Sequence, residues 1–365
     1  MENVELTIAA EDADEKALHK FVDDLQRLTD LPTTKIDVAR RSPTSLELKI
    51  RYPLNIFDHS VSQFLAVLFG EIPFMRAFGR ARFEDLTLPA EVYEWFGGPA
   101  FGADAVLERF GAARPPLLIA ILKPSLDPNA TLPQLEERIA GPLQGGFHAA
   151  KDDEMQGDFA SLSLNARIAL ARRNPRYIPS VNLDDVSAFR EVLAHSEIGM
   201  VITNPTILGF PGLHQLRKTT QVPILAHLSM QGVYATCFSH RLFALLHRLF
   251  GSDAFISPIG ETHYYRASKA DESEMVYAFT SDLAMPKTLP LLTGGGSMNN
   301  LEGLMTPYEL AKVPYGIVLG GLIFNSDRPP AEMAGSVVRK VADVHRAIAD
   351  TRAQNVALGG KSIDR

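Results

Sequence analysis

One cysteine is all that this chain of 365 residues carries. Cys237 has no internal partner, so the fold is not a disulfide framework and suits a reducing compartment. Positive charge is also thin. The formal net charge is -7, and no long basic run occurs. Nucleic-acid binding, which needs clustered Lys and Arg, is excluded on that ground. No apolar run is long enough to span a bilayer. The opening residues, MENVELTIAAEDADEKAL, lack the charged-then-apolar order of a secretory leader. The expectation is a soluble, cytoplasmic protein with no nucleic-acid or membrane partner.

The apolar and charged fractions, 46% and 22%, are those of an ordinary globular chain. The length suits two domains, or one large α/β domain with an extension. From Pro115 onward one rhythm repeats: a short apolar run, a polar or glycine turn, a helix-like stretch. The runs are LLIAIL (117–122), GFHAAK (146–151), YIPSVN (177–182), IGMVITN (198–204), PILAHL (223–228), DAFISP (253–258), LPLLTGG (289–295) and GIVLGG (316–321). Each is too short for a helix and too apolar to face water. Eight such units predict a (β/α)8 barrel over 113–351, with a doubly wound sheet as the structural alternative. Residues 1–112 read as a small α+β, ferredoxin-like domain: VELTIAA, then EKALHKFVDDLQRL, SLELKIRYP and SVSQFLAVLFG. The glycine- and proline-rich FGGPAFGADAVLERFGAARPP joins the two parts. Residues 352–365 read as a polar tail.

In such a barrel, chemistry collects where strands end. Strand 1 ends at Lys123. Strand 2 ends in Lys151, Asp152, Asp153 and Glu154. Strands 3 and 4 end at Asn182 and Asn204, strand 5 carries His227, and strand 6 ends near Ser257. Strands 7 and 8 end in Thr293, Gly294, Gly295 and Gly296, and in Gly320 and Gly321.

Two readings of KDDE stand side by side. One is a solvated loop with local salt bridges. The other is a Mg²⁺ site, since carboxylates and water suit a hard ion. Alternation puts Lys151 and Asp153 on one face and Asp152 on the other. The ammonium of Lys151 would repel a cation, whereas a carbamate formed with CO₂ would supply a third oxygen ligand. The glycine turns read either as plain turns or as a phosphate cradle built from backbone N–H groups. Lys123 is a solvated charge, a phosphate contact or a proton donor. His227 is a hydrogen-bonded core histidine or a catalyst. Asn182 and Asn204 bind substrate or simply terminate strands.

LKPSLD, GGFHAAKDDEMQGDFA, PILAHL, LPLLTGGG and VLGG together resemble the large subunit of ribulose-bisphosphate carboxylase. The resemblance extends upstream to SVSQFLAVLFGEIPFMRAFGRARFEDLTLP and covers most of the chain. It implies that Lys151 carries the carbamate and that Asp153 and Glu154 complete the Mg²⁺ ligands. Lys123 and His227 match active-site residues of strands 1 and 5. Thr293, Gly295, Gly320 and Gly321 match the phosphate-binding turns, with Gly294 between them. It further implies a homodimer with shared active sites, TDLP (29–32) reaching across to the neighbour's barrel.

Departures from the pattern are as informative. Leu228 stands where the carboxylase has a phosphate-binding arginine, and Ile256 where it has a histidine. PIGETHYYRAS has no lysine before Lys269, and Glu71 replaces an asparagine. The resemblance is therefore to the carboxylase-like proteins, nearest to the enolases of methionine salvage, and not to a CO₂-fixing enzyme. Those enolases take a base lysine from the N-terminal domain, where FMRAFGRARFEDL offers only Arg76, Arg80 and Arg82, and arginine is a poor base. The expected activity is Mg²⁺-dependent isomerisation of 5-methylthioribulose 1-phosphate. Decarboxylation of 3-oxo-isoapionate 4-phosphate and enolisation of 2,3-diketo-5-methylthiopentyl 1-phosphate are the alternatives.

Overall fold

The computed structural model describes residues 3–11, 15–29, 35–42, 45–74, 79–124, 127–181, 197–260 and 267–357. The first strand, β1 (Asn3–Glu11), alternates half-buried and buried positions and puts Val4, Leu6, Ile8 and Ala10 on one face. That period-2 pattern is what a sheet with one covered face requires. β3 (Ser45–Pro53) repeats it with Leu46, Leu48, Ile50 and Tyr52. With β2 (Lys35–Ser42) and β4 (Arg80–Thr87) they form an antiparallel sheet in the order β2-β3-β1-β4. The helix Glu15–Thr29 contributes Phe21 and Leu25 to the core. β2 and β4 escape a reading by apolar runs because arginine occupies several of their positions.

The eight expected barrel strands are all present. They are β5 (Leu117–Ile121), β6 (Ala149–Lys151), β7 (Tyr177–Ile178), β8 (Val201–Thr203), β9 (Ile224–Ala226), β10 (Ala254–Pro258), β11 (Leu289–Thr293) and β12 (Gly316–Leu319). Their pairing is parallel throughout, in the order β7-β6-β5-β12-β11-β10-β9-β8. The two end strands meet through a parallel bridge between Ser180 and Ile202. A closed ring of this kind is a barrel, and it excludes the doubly wound sheet.

Asp253, fully buried at the start of β10, fastens the inter-domain segment. One carboxylate oxygen accepts from the backbone N–H groups of Phe101 (2.7 Å) and Gly102 (3.2 Å). The other accepts from Arg217 (2.8 Å) and the N–H of Ile224 (2.9 Å). Burial pushes the Asp253 pKa up, against the pull of Arg217 and three N–H groups. The closing helix, Pro330–Ala357, continues past the expected boundary at 351, and residues 358–365 lie outside the described set. Among the described residues, no helix is long and apolar enough to cross a membrane.

Candidate active site

β6 is only three residues long and buried throughout, so Lys151 ends it with no exposure to solvent. Burial disfavours the charged amine and lowers its pKa, while Glu154, Asp153 and Asp152 pull the other way. The Nζ donates to the Asp152 carbonyl at 2.8 Å and lies 3.7 Å from Glu154 Oε2. A lysine biased toward its neutral form is the form that can take up CO₂.

Asp152 turns to the opposite side. Its carboxylate accepts from Arg167 Nη1 (2.6 Å), Tyr177 Oη (2.7 Å) and the N–H of Ser180 (2.9 Å). Asp152 and Asp153 are 3% and 4% exposed. KDDE is therefore not a solvated loop, and a buried charge at this density is kept only when paired.

Asp153 accepts from Lys123 Nζ at 2.6 Å. Glu154 faces His227, whose Nε2 stands 3.3 Å from Oε2. His227 is almost wholly buried, and its pKa is pushed down to about 3, by burial first and then by the Lys151 cation, with Asp153 opposing. The ring is neutral at ordinary pH. Its Nδ1 accepts from the N–H of Ser229 at 3.1 Å, with the Ser229 hydroxyl 2.8 Å away. Asn204 donates from Nδ2 to the Glu154 carbonyl at 3.3 Å and accepts from Ser229 Oγ at 3.2 Å.

Across the mouth the chain works with backbone. Gly294 and Gly295 follow Thr293 with φ of +83° and +94°, a region that side-chain-bearing residues rarely occupy. Asn300 braces this turn, donating to the Gly295 carbonyl (2.6 Å) and accepting from the N–H of Ser297 (2.7 Å). A Cβ on Gly320 would sit 3.2 Å from Ile121 Cβ and 3.4 Å from Lys123 Cε, so glycine brings the end of β12 close to the end of β5.

These groups line one cavity of 580 Å³. Lys123, Asp153, Glu154 and His227 form one side. Thr293, Gly294, Gly295, Gly296, Gly320 and Gly321 form the other. Ile121, Ile256, Val318, Leu319 and Leu322 supply apolar wall. Leu228 is buried, and this wall is built from those five instead. Lys151 is not part of this lining, and its Nζ lies 3.7 Å from Glu154 Oε2. Asn182 falls outside the described residues, as do 30–32 of TDLP and Arg76. Ser257 is fully buried, and its hydroxyl finds no partner among the described residues.

Sequence reading missed Ser229, Ser297, Asn300 and Asn325, the last also on the cavity wall. Ser297 and Asn300 carried a usable signal, being polar residues just past a glycine turn. Ser229 carried none beyond its distance of two positions from His227.

The donor set fits a hard divalent cation. Among the described residues no cluster of three His, Cys, Asp or Glu is placed to hold a metal. Asp153 and Glu154 are the carboxylates at hand for such an ion, and a carbamate on the neighbouring Lys151 would add an oxygen donor.

Comparison with known proteins follows the same outline. Residues 1–92 match the family model for the N-terminal domain of the ribulose bisphosphate carboxylase large chain. The chain is 29% identical over 231 residues to a 3-oxo-isoapionate-4-phosphate transcarboxylase/hydrolase of Xanthobacter autotrophicus, covering 59% of this chain and 54% of that one. Here the match spans about half the relative's length. A 2,3-diketo-5-methylthiopentyl-1-phosphate enolase of Geobacillus kaustophilus is 30% identical over 354 residues, covering 87% and 80% of the two chains. Among solved structures, a rubisco-like protein from Alicyclobacillus acidocaldarius superposes with a TM-score of 0.79 at 22% identity, covering 95% of each chain. The octameric carboxylase of Pyrococcus horikoshii gives 0.83 at 18%, over 94% and 88%, and shares the fold. By its match to the Geobacillus enolase over most of both chains, the protein belongs to the ribulose bisphosphate carboxylase large-chain family, among its carboxylase-like members.

Proposed function

We propose that this chain is a Mg²⁺-dependent enzyme that moves a proton on a monophosphorylated keto-sugar, isomerising 5-methylthioribulose 1-phosphate. One observation carries the reading. A single cavity joins one glycine-built anion cradle, an acidic-and-lysine wall and an apolar remainder. One cradle calls for one phosphate, and the apolar wall suits an uncharged far end.

Lys151 as its carbamate, Asp153 and Glu154 would hold the ion. When bound, Mg²⁺ would polarise the substrate's carbonyl and the adjacent hydroxyl and so acidify the C–H of the hydroxyl-bearing carbon. The chain's own groups do the rest. N–H groups of the glycine turns hold the phosphate, where they gain from a site poor in water. The Lys151 carbamate, or Lys123 once its ammonium has given up a proton, would take the proton from C3 and return it to C2, and a second such transfer from C4 to C3 would complete the move of the carbonyl.

Two further readings keep a specific support. The similarity to the Geobacillus enolase favours enolisation of a diketo-methylthiopentyl phosphate. The similarity to the Xanthobacter enzyme favours chemistry on 3-oxo-isoapionate 4-phosphate, as decarboxylation or as the transcarboxylation and hydrolysis that its name gives. A homodimer with shared sites is supported by exposed apolar residues in segments that follow β6, β8 and β9: Met155, Ile207, Met230 and Val233.

The test is incubation with Mg²⁺, bicarbonate and 5-methylthioribulose 1-phosphate in D₂O, followed by proton and phosphorus NMR. Conversion to a pentulose 5-phosphate isomer, lost in Lys151→Ala, is the expected result. No conversion and no deuterium uptake would sink the isomerase reading, and the same assay with the other two substrates then decides between them.

A further inference from the structure

Four residues form a closed circuit around Glu154. Asn204 holds its backbone carbonyl at 3.3 Å, and Ser229 Oγ reaches Asn204 Oδ1 at 3.2 Å. Ser229 also reaches His227 Nδ1, and His227 Nε2 returns to the Glu154 carboxylate at 3.3 Å. The members come from the ends of three strands, β6, β8 and β9, so only the folded barrel assembles them.

A backbone N–H can only donate. The N–H of Ser229, 3.1 Å from His227 Nδ1, therefore requires a lone pair on that nitrogen. In a neutral ring the proton then sits on Nε2, the nitrogen that faces Glu154 Oε2. The Ser229 hydroxyl has one proton and gives it either to Nδ1 or to Asn204. Either way the ring nitrogen facing Glu154 is a donor. Thr206 fixes the Ser229 backbone by donating to its carbonyl.

From this circuit we infer that His227 is a positioning residue and not the proton-abstracting base. Ser229 locks its tautomer, and the locked ring holds one oxygen of Glu154 so that the other is presented to the cation. The inference rests on the metal reading of Glu154. Residues that orient a ligand in this way are commonly worth an order of magnitude or more in metal affinity.

Two experiments on the full-length chain test it. The first is ¹⁵N-histidine NMR of the metal-free protein, with His227 assigned by the signal lost in His227→Gln. A ring protonated on Nε2 is expected, and one protonated on Nδ1 overturns the inference whatever the metal does. The second is calorimetric titration with Mg²⁺ at fixed bicarbonate. His227→Ala should weaken binding about 10- to 100-fold, while His227→Gln, whose amide can donate from the place of Nε2, should stay within about threefold of wild type. His227→Gln should also retain deuterium exchange into substrate. Equal losses in the Ala and Gln variants overturn the inference, as does a Gln variant that binds Mg²⁺ normally but exchanges nothing. Undiminished Mg²⁺ affinity in Glu154→Gln overturns the metal reading instead.

Discussion

The two halves of the barrel mouth solve different problems. On the side of β6 and β9 the site is made of side chains: the buried Asp152 carboxylate is held by Arg167, Tyr177 and the N–H of Ser180, while Asn204 braces the Glu154 carbonyl and Ser229 braces His227. On the side of β11 and β12, backbone does it, through glycines held open by conformation and by Asn300. A charge network fails when a partner is removed. A backbone cradle fails when a side chain is added. The same mutational logic therefore runs in opposite directions across one cavity.

Loss of the Lys151 amine should have the largest effect. Lys151→Ala, and equally removal of the cation with EDTA, should abolish deuterium exchange into substrate, as read by proton NMR. Next comes the charge network. Arg167→Met strands the Asp152 carboxylate in a buried site and should cost about 3–5 kcal/mol of stability, measured by urea unfolding. If the loss were under ~1 kcal/mol, comparable to an exposed ion pair, the pair would not be the buried anchor described. On the other side, Gly295→Ala forces a side chain into φ of +94°. It should cost about 1–3 kcal/mol and appear chiefly as a raised KM for the phosphorylated substrate. An unchanged KM would remove that turn from phosphate binding. The smallest effect in this series is Tyr177→Phe, which deletes one of three donors to Asp152 and should cost about 0.5–1.5 kcal/mol.

A fifth measurement lies outside the mouth and serves as a control. His247 is fully buried among Phe210, Phe243 and Phe255, with neither ring nitrogen partnered among the described residues. Burial pushes its pKa down to about 3. The unfolded chain binds this proton more readily, so the folded state loses stability as pH falls from about 6.5 toward 3, by about 1.4 kcal/mol per pH unit for this one group. His247→Leu should flatten that part of the stability profile while leaving both halves of the mouth unchanged.

The sequence shows the two halves unequally. Eight short apolar runs disclose the barrel because a buried parallel strand has nothing else to be made of. KDDE and the glycine turns stand out for the same reason, as polar or flexible residues where such strands stop. Partners of those residues are not legible. Arg167 sits in an ordinary helix, Leu164–Arg173, far in sequence from any hint that Asp152 is its mate. Tyr177 belongs to an apolar run, and only the fold turns its hydroxyl toward a carboxylate. β2 and β4 were hidden by arginines that break up their apolar residues. Strand lengths were overestimated for β7, where Pro179 follows the second residue.

The tie at Asp253 has a bearing on biosynthesis. The N–H group of Phe101 waits for a carboxylate 152 positions downstream. At about 5–20 residues per second, the ribosome needs roughly 8–30 seconds to supply it. During that interval the N-terminal sheet has every strand it needs, while the segment that hangs it from the barrel is still unfastened. The strands of the first sheet are all made before the carboxylate that fastens the segment behind them, and β11 and β12 follow later still.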